Sequence, residues 1–327
     1  MKRTWLFAVV TLTPASLPTP AVAQLRTPAG YKEKMRDLYQ NPPEAVWVSK
    51  PAPGALPVGV THHTYRSKSM GHDIGYSIYL PPAYQKEPQR RFPVIYHLHG
   101  ASGDEVQRVR SAEVLHEGIV AGKWPPIIMV FPSGGKRTFY KDWQGGKFMS
   151  ETTLIEELIP LVDESYRTVA ARRGRCIEGF SMGGRGSTRL AMKYPEMFCS
   201  VFNQAGNVIR IAELFDPSRP DEFPNSVYGN DRARYVENDA FELLKKNRER
   251  IRGGMRIQIM CGTADKTHLP TVREFHQALL DAGVDHTYIE GEGIDHDQYK
   301  LIDQYKPVWF DYHVESLRRA GEKAKQK

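Results

Sequence analysis

Residues 175–187 read RCIEGFSMGGRGS, an apolar run that ends in a serine set among glycines. Within it, Gly179-Phe180-Ser181-Met182-Gly183 fits the pattern G-x-S-x-G. So short a pattern arises by chance, and its setting gives it weight. Ahead of it, residues 175–180 have the length and apolarity of a buried strand. Behind it, RGSTRLAMKYPEMF has the composition of a helix. A strand that turns at once into a helix leaves no room for side chains beside the bend, so glycine is wanted two residues on either side. Such a bend lifts the Ser181 hydroxyl above the sheet. It also sets the Met182 N–H at a helix start, where partial positive charge favours an oxyanion. The plainer reading is a Gly-rich helix cap, which asks for no partners elsewhere in the chain.

Working outward, the flanking sequence repeats the same grammar. FPVIYHLHG (92–100), PPIIMVFPSG (125–134), FCSVFNQAG (198–206), MRIQIMCGTAD (255–265) and HTYIEGEG (286–293) are apolar runs bounded by turn residues, each followed by a helical stretch. Runs of this kind suit strands buried on both faces of a parallel sheet. Before them, THHTYRS (61–67) and DIGYSIYLP (73–81) alternate apolar and polar residues, as a half-buried antiparallel pair does. TTLIEELIPLVDESY (152–166) places Leu154, Leu158, Leu161 and Val162 on one helical face, with Thr153 and Glu156 spaced as a capping box at its start. Further helices are expected in LPTVREFHQALLDAG (269–283) and YKLIDQYKPVWFDYHVESL (299–317), the second broken at Pro307. Strands alternating with helices behind a leading hairpin predict an α/β domain with a mostly parallel sheet.

A serine hydroxyl needs a base to take its proton. In this topology an acid and then a histidine should follow the serine, each at the carboxyl end of a later strand. Of the later histidines, His276 and His313 fall inside expected helices, and His286 sits at the wrong end of a strand. His296, in the loop GEGIDHDQY (291–299), is placed to reach the serine, and Asp265 ends the preceding strand. Asp295 and Asp297 are alternative acids, but neighbours in sequence rarely face each other's ring. His268 is the alternative base, or else lines the pocket mouth. A second oxyanion donor is expected at the N–H of Ala101, in the turn after the strand VIYHLHG. His97 and His99 alternate on that strand and read as hydrogen-bonded supports of the turn.

The remaining features bound the setting. Lys2 and Arg3 precede an apolar run, and Ala21-Val22-Ala23 resembles a cleavage site, so residues 1–23 are expected to be a signal peptide and the mature protein periplasmic or secreted. Pro14, Pro18 and Pro20 make this segment too short and interrupted to span a bilayer. Residues 24–60 form a Pro-rich lead-in with one short helix at 31–39, residues 61–318 the catalytic-type domain, and residues 319–327 a basic tail. An insertion at 206–253 includes FDPSRPDEFPNSVYGND (215–231) and a helix near 240–251, and is expected to cover the ligand face as a lid or pocket wall. Without Lys2 and Arg3 the net charge of +7 becomes +5, spread along the chain with no accompanying aromatic pattern, which argues against nucleic acid as a partner. Cys176, Cys199 and Cys261 all lie in apolar runs and read as buried thiols rather than a disulfide framework. No metal-ligand spacing is present, and no cofactor is called for.

With those residues on the page, the chain resembles the esterase D-type branch of the α/β-hydrolases, which includes feruloyl and acetylxylan esterases, enterochelin esterases and mycolyltransferases. The resemblance spans about residues 65–310 and is carried by YSIYLPPAY (76–84), FPVIYHLHG, ELIPLVDESYRT (157–168), EGFSMGG (178–184) and GIDHDQY (293–299). It implies an α/β-hydrolase fold, with Ser181, Asp265 and His296 as the triad and Ala101 and Met182 as oxyanion donors. It further implies a carboxylic-ester hydrolase acting on a small-molecule or polysaccharide ester, feruloyl or acetyl. Acyl transfer to a sugar hydroxyl, carbohydrate binding on a retired hydrolase fold, and peptidase activity are the competing expectations. The chain departs from the family pattern after His99, where GASGDE replaces a run of glycines, and in the insertion after Ala205.

Overall fold

In the computed structural model, which describes residues 46–107, 109–215, 217 and 225–325, eight strands form one sheet. They are β1 (Val60–Arg66), β2 (Asp73–Tyr79), β3 (Val94–Leu98), β4 (Ile128–Pro132), β5 (Arg175–Phe180), β6 (Ser200–Gln204), β7 (Arg256–Gly262) and β8 (His286–Gly291). Their order is β1-β2-β4-β3-β5-β6-β7-β8. β1 and β2 pair antiparallel, as do β2 and β4, and every later pairing is parallel. The expected leading hairpin and parallel body are therefore both present, and the fold is that of the α/β-hydrolases. The expected signal peptide and the short helix at 31–39 lie outside the described residues.

Burial follows position in the sheet. β3, β4, β5 and β6 are buried along their whole length, which is why their sequences are continuous rather than alternating. β8 departs from that expectation. It is an edge strand, and from His286 to Glu290 it is half-buried, which accounts for the polar residues in HTYIE.

The helices divide between the two faces. The register aligns Ser77 with Phe131 and His97 with Glu178, and the His97 and Phe131 rings meet at 5.4 Å, so these residues share a face. Helix α1 (Arg110–Val120) lies there through His116 against Tyr79. The last helix, Asp311–Lys325, lies there through His313 against Glu178, and Arg318, Arg319 and Lys323 continue it beyond Leu317. On the opposite face, Tyr65 donates to Thr153 O and Asn203 donates to Thr188 Oγ1. These bonds hold the helix that begins at Ser150 and helix α3 (Met182–Lys193).

The helix from Ser150, α2, corrects one expectation. Thr153 is not its N-cap: the helix is already under way at Ser150–Thr152, and Thr153 Oγ1 donates back to Ser150 O. It then widens into a π-helical turn at Thr153–Leu158 before continuing as Ile159–Ser165. Pro160 supplies the reason, since it lacks an N–H and its ring crowds the carbonyl four residues back. Leu154, Leu158 and Val162 are buried as their spacing implies, and Leu161 is half-buried.

The last third of the chain adds α4 (Ala240–Arg252), α5 (Leu269–Asp281), α6 (Gln298–Tyr305) and α7 (Asp311–Lys325). A 3₁₀ turn at Lys306–Val308 separates the last two, at the expected proline. No helix among the described residues is long and apolar enough to cross a membrane.

Candidate active site

β5 ends in a tight bend at Ser181, flanked by glycines. Ser181 takes φ 56° and ψ −116°, a conformation that L-residues rarely adopt. Its N–H donates to Gln204 O at 2.9 Å, and its carbonyl accepts from Arg185 N at 3.0 Å, so strand and helix clamp it from both sides. A Cβ on Gly183 would stand 1.9 Å from Leu98 O, and one on Gly179 would stand 2.5 Å from the Gly183 carbonyl carbon. The two flanking glycines are thus a steric requirement of the bend.

His296 leaves the loop after β8 and meets the serine, with Nε2 2.8 Å from Ser181 Oγ. Its Nδ1 lies 2.6 Å from Asp265 Oδ2. A carboxylate only accepts, so Nδ1 carries the proton and Nε2 is bare, ready to accept from the hydroxyl. Asp265 is 4% exposed, whereas the His296 side chain is 32% exposed. Burial opposes the charge on Asp265, but hydrogen bonds from His268 and His296 outweigh it and hold the carboxyl well below the usual range. The Cys261 thiol lies 3.9 Å from Asp265 Oδ2, and burial followed by that charge pushes it up to about 12.

Neither alternative acid touches the imidazole. Asp297 caps α6 by accepting from Tyr299 N and Lys300 N, and Asp295 pairs with Lys300. His268, weighed above as a competing base, instead sits on Asp265 alongside His296. Its Nδ1 lies 2.9 Å from Asp265 Oδ1, and its ring stacks on His296 at 3.9 Å and 10°. Ligand atoms of Asp265, His268 and His296 lie within 4.8 Å of one another. Both imidazoles, however, spend Nδ1 on the carboxylate, and near-parallel rings aim their lone pairs side by side rather than at a common point. The grouping suits a hydrogen-bond chain better than a metal.

The turn after β3 lies against the serine: a Cβ on Gly100 would be 3.5 Å from Ser181 Cβ. Ala101 follows directly, and Met182 is the first residue of α3, so its N–H has no partner within the helix. His99 secures this turn. Its Nδ1 donates to Gly100 O at 2.8 Å, and its Nε2 accepts from Gly134 N at 2.9 Å. His97 serves elsewhere, holding Glu178 Oε1 at 2.6 Å.

Sequence reasoning missed the loop after β4. Arg137, Phe139 and Tyr140 all have positive φ, a costly conformation for such residues. Phe139 N–H meets Met182 Sδ at 3.4 Å, and Tyr140 OH donates to His99 O at 3.3 Å. This loop therefore contacts Met182 and the start of the turn that leads to Ala101. The insertion docks on the same loop, with Lys141 Nζ donating to Tyr228 OH. Burial, and then Arg185 and Arg189, push the Lys141 ammonium well below its ordinary value. Nothing in the local sequence marks these contacts. His268 did carry a signal, because Asp-x-x-His entering a helix at Pro270 puts both side chains on one turn.

The Esterase family model matches residues 67–301. An esterase of Mycobacterium tuberculosis is 29% identical over 259 residues, covering 71% of this chain and 54% of its own length. An endo-1,4-beta-xylanase/feruloyl esterase of Xylanibacter ruminicola is 32% identical over 163 residues, covering 47% of this chain and 22% of its own. The chain thus spans about half the length, or less, of these curated relatives. Among solved structures, a ferulic acid esterase superposes with a TM-score of 0.65 at 23% identity, covering 80% of this chain and 98% of that one.

Proposed function

This chain belongs to the Esterase family, and on that premise we propose that it is a serine carboxylic-ester hydrolase working through an acyl-enzyme. The observation that carries the reading is the unbroken chain from Ser181 Oγ to His296 Nε2 at 2.8 Å and from His296 Nδ1 to Asp265 Oδ2 at 2.6 Å. Ser181 Oγ attacks the ester carbonyl as its proton passes to His296 Nε2. The imidazolium so formed lies against the ionised Asp265, which stabilises it and keeps the ring in the productive tautomer. Ala101 and Met182 N–H groups receive the oxyanion, and the helix start adds partial positive charge. His296 then returns the proton to the departing alcohol. Water repeats the sequence on the acyl-enzyme and frees the acid.

The substrate class proposed is a feruloyl or acetyl ester of plant polysaccharide. Support comes from the Xylanibacter relative, which is named as an endo-1,4-beta-xylanase/feruloyl esterase, and from the ferulic acid esterase that shares the fold. A polymeric substrate also accords with export through the signal-like residues 1–23. A panel of aryl and sugar esters tests the reading, with Ser181→Ala as control. We expect turnover of at least one panel member to fall by about 10⁴-fold or more in the variant. Equal turnover by both proteins removes the serine from the mechanism.

A further inference from the structure

The Asp265 carboxylate serves two imidazoles, and the mechanism above uses only one. Oδ2 takes His296, while Oδ1 takes both the Nδ1 and the backbone N–H of His268, at 2.9 and 3.1 Å. We propose that His268 is a positioning residue for the catalytic base, acting through the shared carboxylate and through its ring stacked on His296; this rests on the triad reading above. Two physical effects follow from the geometry.

The first is orientation. A carboxylate with one oxygen free can swing about its Cβ–Cγ bond, and the imidazole it holds swings with it. Here the two donors of His268 occupy Oδ1, so the plane of the carboxylate is set before His296 binds Oδ2. The His296 ring is further constrained by stacking on His268 at 3.9 Å and on Phe180 at 4.7 Å. That matters because His296 is a third exposed and reaches the serine from a Gly-rich loop. A misplacement of about 1 Å in such a relay costs roughly 10²-fold in rate.

The second effect is electrostatic. Each N–H donated to Asp265 draws on the same negative charge. Removing the His268 donor leaves more of that charge for His296, which favours its protonated form and lowers the base's supply of bare Nε2 at acidic pH. Among the described residues, ionisable groups near this unit include the Cys261 thiol beside Asp265 Oδ2, and Asp295 and Asp297 in the His296 loop, both paired with Lys300. None of these bridges the two rings.

Two variants separate the effects from simple damage to the fold. His268→Phe keeps a flat ring to stack and deletes the donor; His268→Asn keeps a donor near the Nδ1 position and deletes the ring. In His268→Phe we expect kcat to fall about tenfold with KM within twofold, and the acidic limb of kcat/KM to move to higher pH. His268→Asn should return that limb to its wild-type place. A wild-type limb in His268→Phe, or an equal shift in both variants, overturns the proposal.

Should either variant fold poorly, the native protein supplies its own test. In proton NMR of the full chain, two far-downfield histidine Nδ1–H signals should come from the rings on Asp265, beyond the one that His97 gives on Glu178. A single signal from the Asp265 pair overturns the proposal. Ser181→Ala abolishing turnover while His268 variants behave as wild type would sink this inference and leave the triad reading standing. Turnover surviving in Ser181→Ala would remove both.

Discussion

Asp265 and Glu178 are both carboxylates gripped by two histidines, and the two groupings sit on opposite sides of the same chemistry. Asp265 holds His268 and His296; Glu178 holds His97 at 2.6 Å and His313 at 3.0 Å. In each, hydrogen bonds overcome the penalty of burial. Against burial, His313 and His97 lower the Glu178 carboxyl to about 2. The difference is place. Asp265 lies three residues beyond Gly262, the end of β7, where the strand opens into loops, and one of its histidines runs on to the half-buried Ser181. Glu178 lies inside β5, and its histidines are 0–1% exposed. Their outer nitrogens meet only other buried groups: Ser200 Oγ at 2.7 Å from His313, and Gln298 at 3.3 Å from His97. The same residue types make a hydrogen-bond chain that reaches a serine beyond a strand end, and a fixed tie across the core in mid-strand.

The sharpest way to break this contrast is Asp265→Asn. It should lower kcat by about 10⁴-fold, close to 5 kcal/mol of barrier, while the melting temperature moves less than in Glu178→Ala, because Asn keeps the volume and an acceptor for the His268 donors. Steady-state kinetics beside a thermal melt reads both. Loss of folding with activity per folded molecule retained would show that Asp265 belongs with Glu178.

Glu178→Ala should behave in the opposite sense. Removing one member of a buried, hydrogen-bonded cluster costs about 3–5 kcal/mol of stability, read as a lowered urea midpoint. Turnover per folded molecule should stay within a few-fold. An inactive but fully stable variant would erase the distinction.

Acid sharpens the comparison further. The Glu178 carboxyl is depressed in the folded state from 4.5 to about 2, so its stabilisation is complete above pH 4.5 and disappears as pH falls toward 2. The shift corresponds to roughly 3 kcal/mol. Glu178→Gln should therefore show a smaller loss of urea midpoint between pH 5 and pH 3 than the parent protein. Parallel curves would mean that the buried carboxylate carries no proton linkage.

The smallest effect is expected where the two groupings meet. Gln298 lies two residues after His296, and its amide donates to Gln204 Oε1 at 2.9 Å as it faces His97. Gln298→Ala should lower kcat by only a few-fold, about 1 kcal/mol, by loosening the root of the His296 loop. A change as large as that of Asp265→Asn would mean that the core network tunes the relay directly.

How much of this was legible beforehand follows the range of the interactions. Strand and helix identity came from local periodicity, which is why the buried runs and the leading hairpin are where the pattern puts them. Where local rules competed, the reading slipped. Thr153 has the chemistry of a cap, but Asp142 accepts from Glu151 N and Thr152 N, and the helix starts at Ser150. At β8, an edge position overrides the expectation of full burial. The elbow was readable because its constraint is local: glycines two residues either side of a serine answer a clash within one turn.

By itself the sequence determined the alternation of elements, the bend at Ser181, and the order in which an acid and a histidine follow at later strand ends. All of these are imposed by backbone sterics and by side chains close along the chain. Only the tertiary structure decided that Asp265 is shared by two stacked imidazoles, that Glu178 ties β3, β5 and α7 together, and that a strained loop at 137–140 contacts Met182 and His99. Most of those contacts join residues far apart in sequence, where only burial and packing of the whole sheet choose which polar groups must satisfy one another.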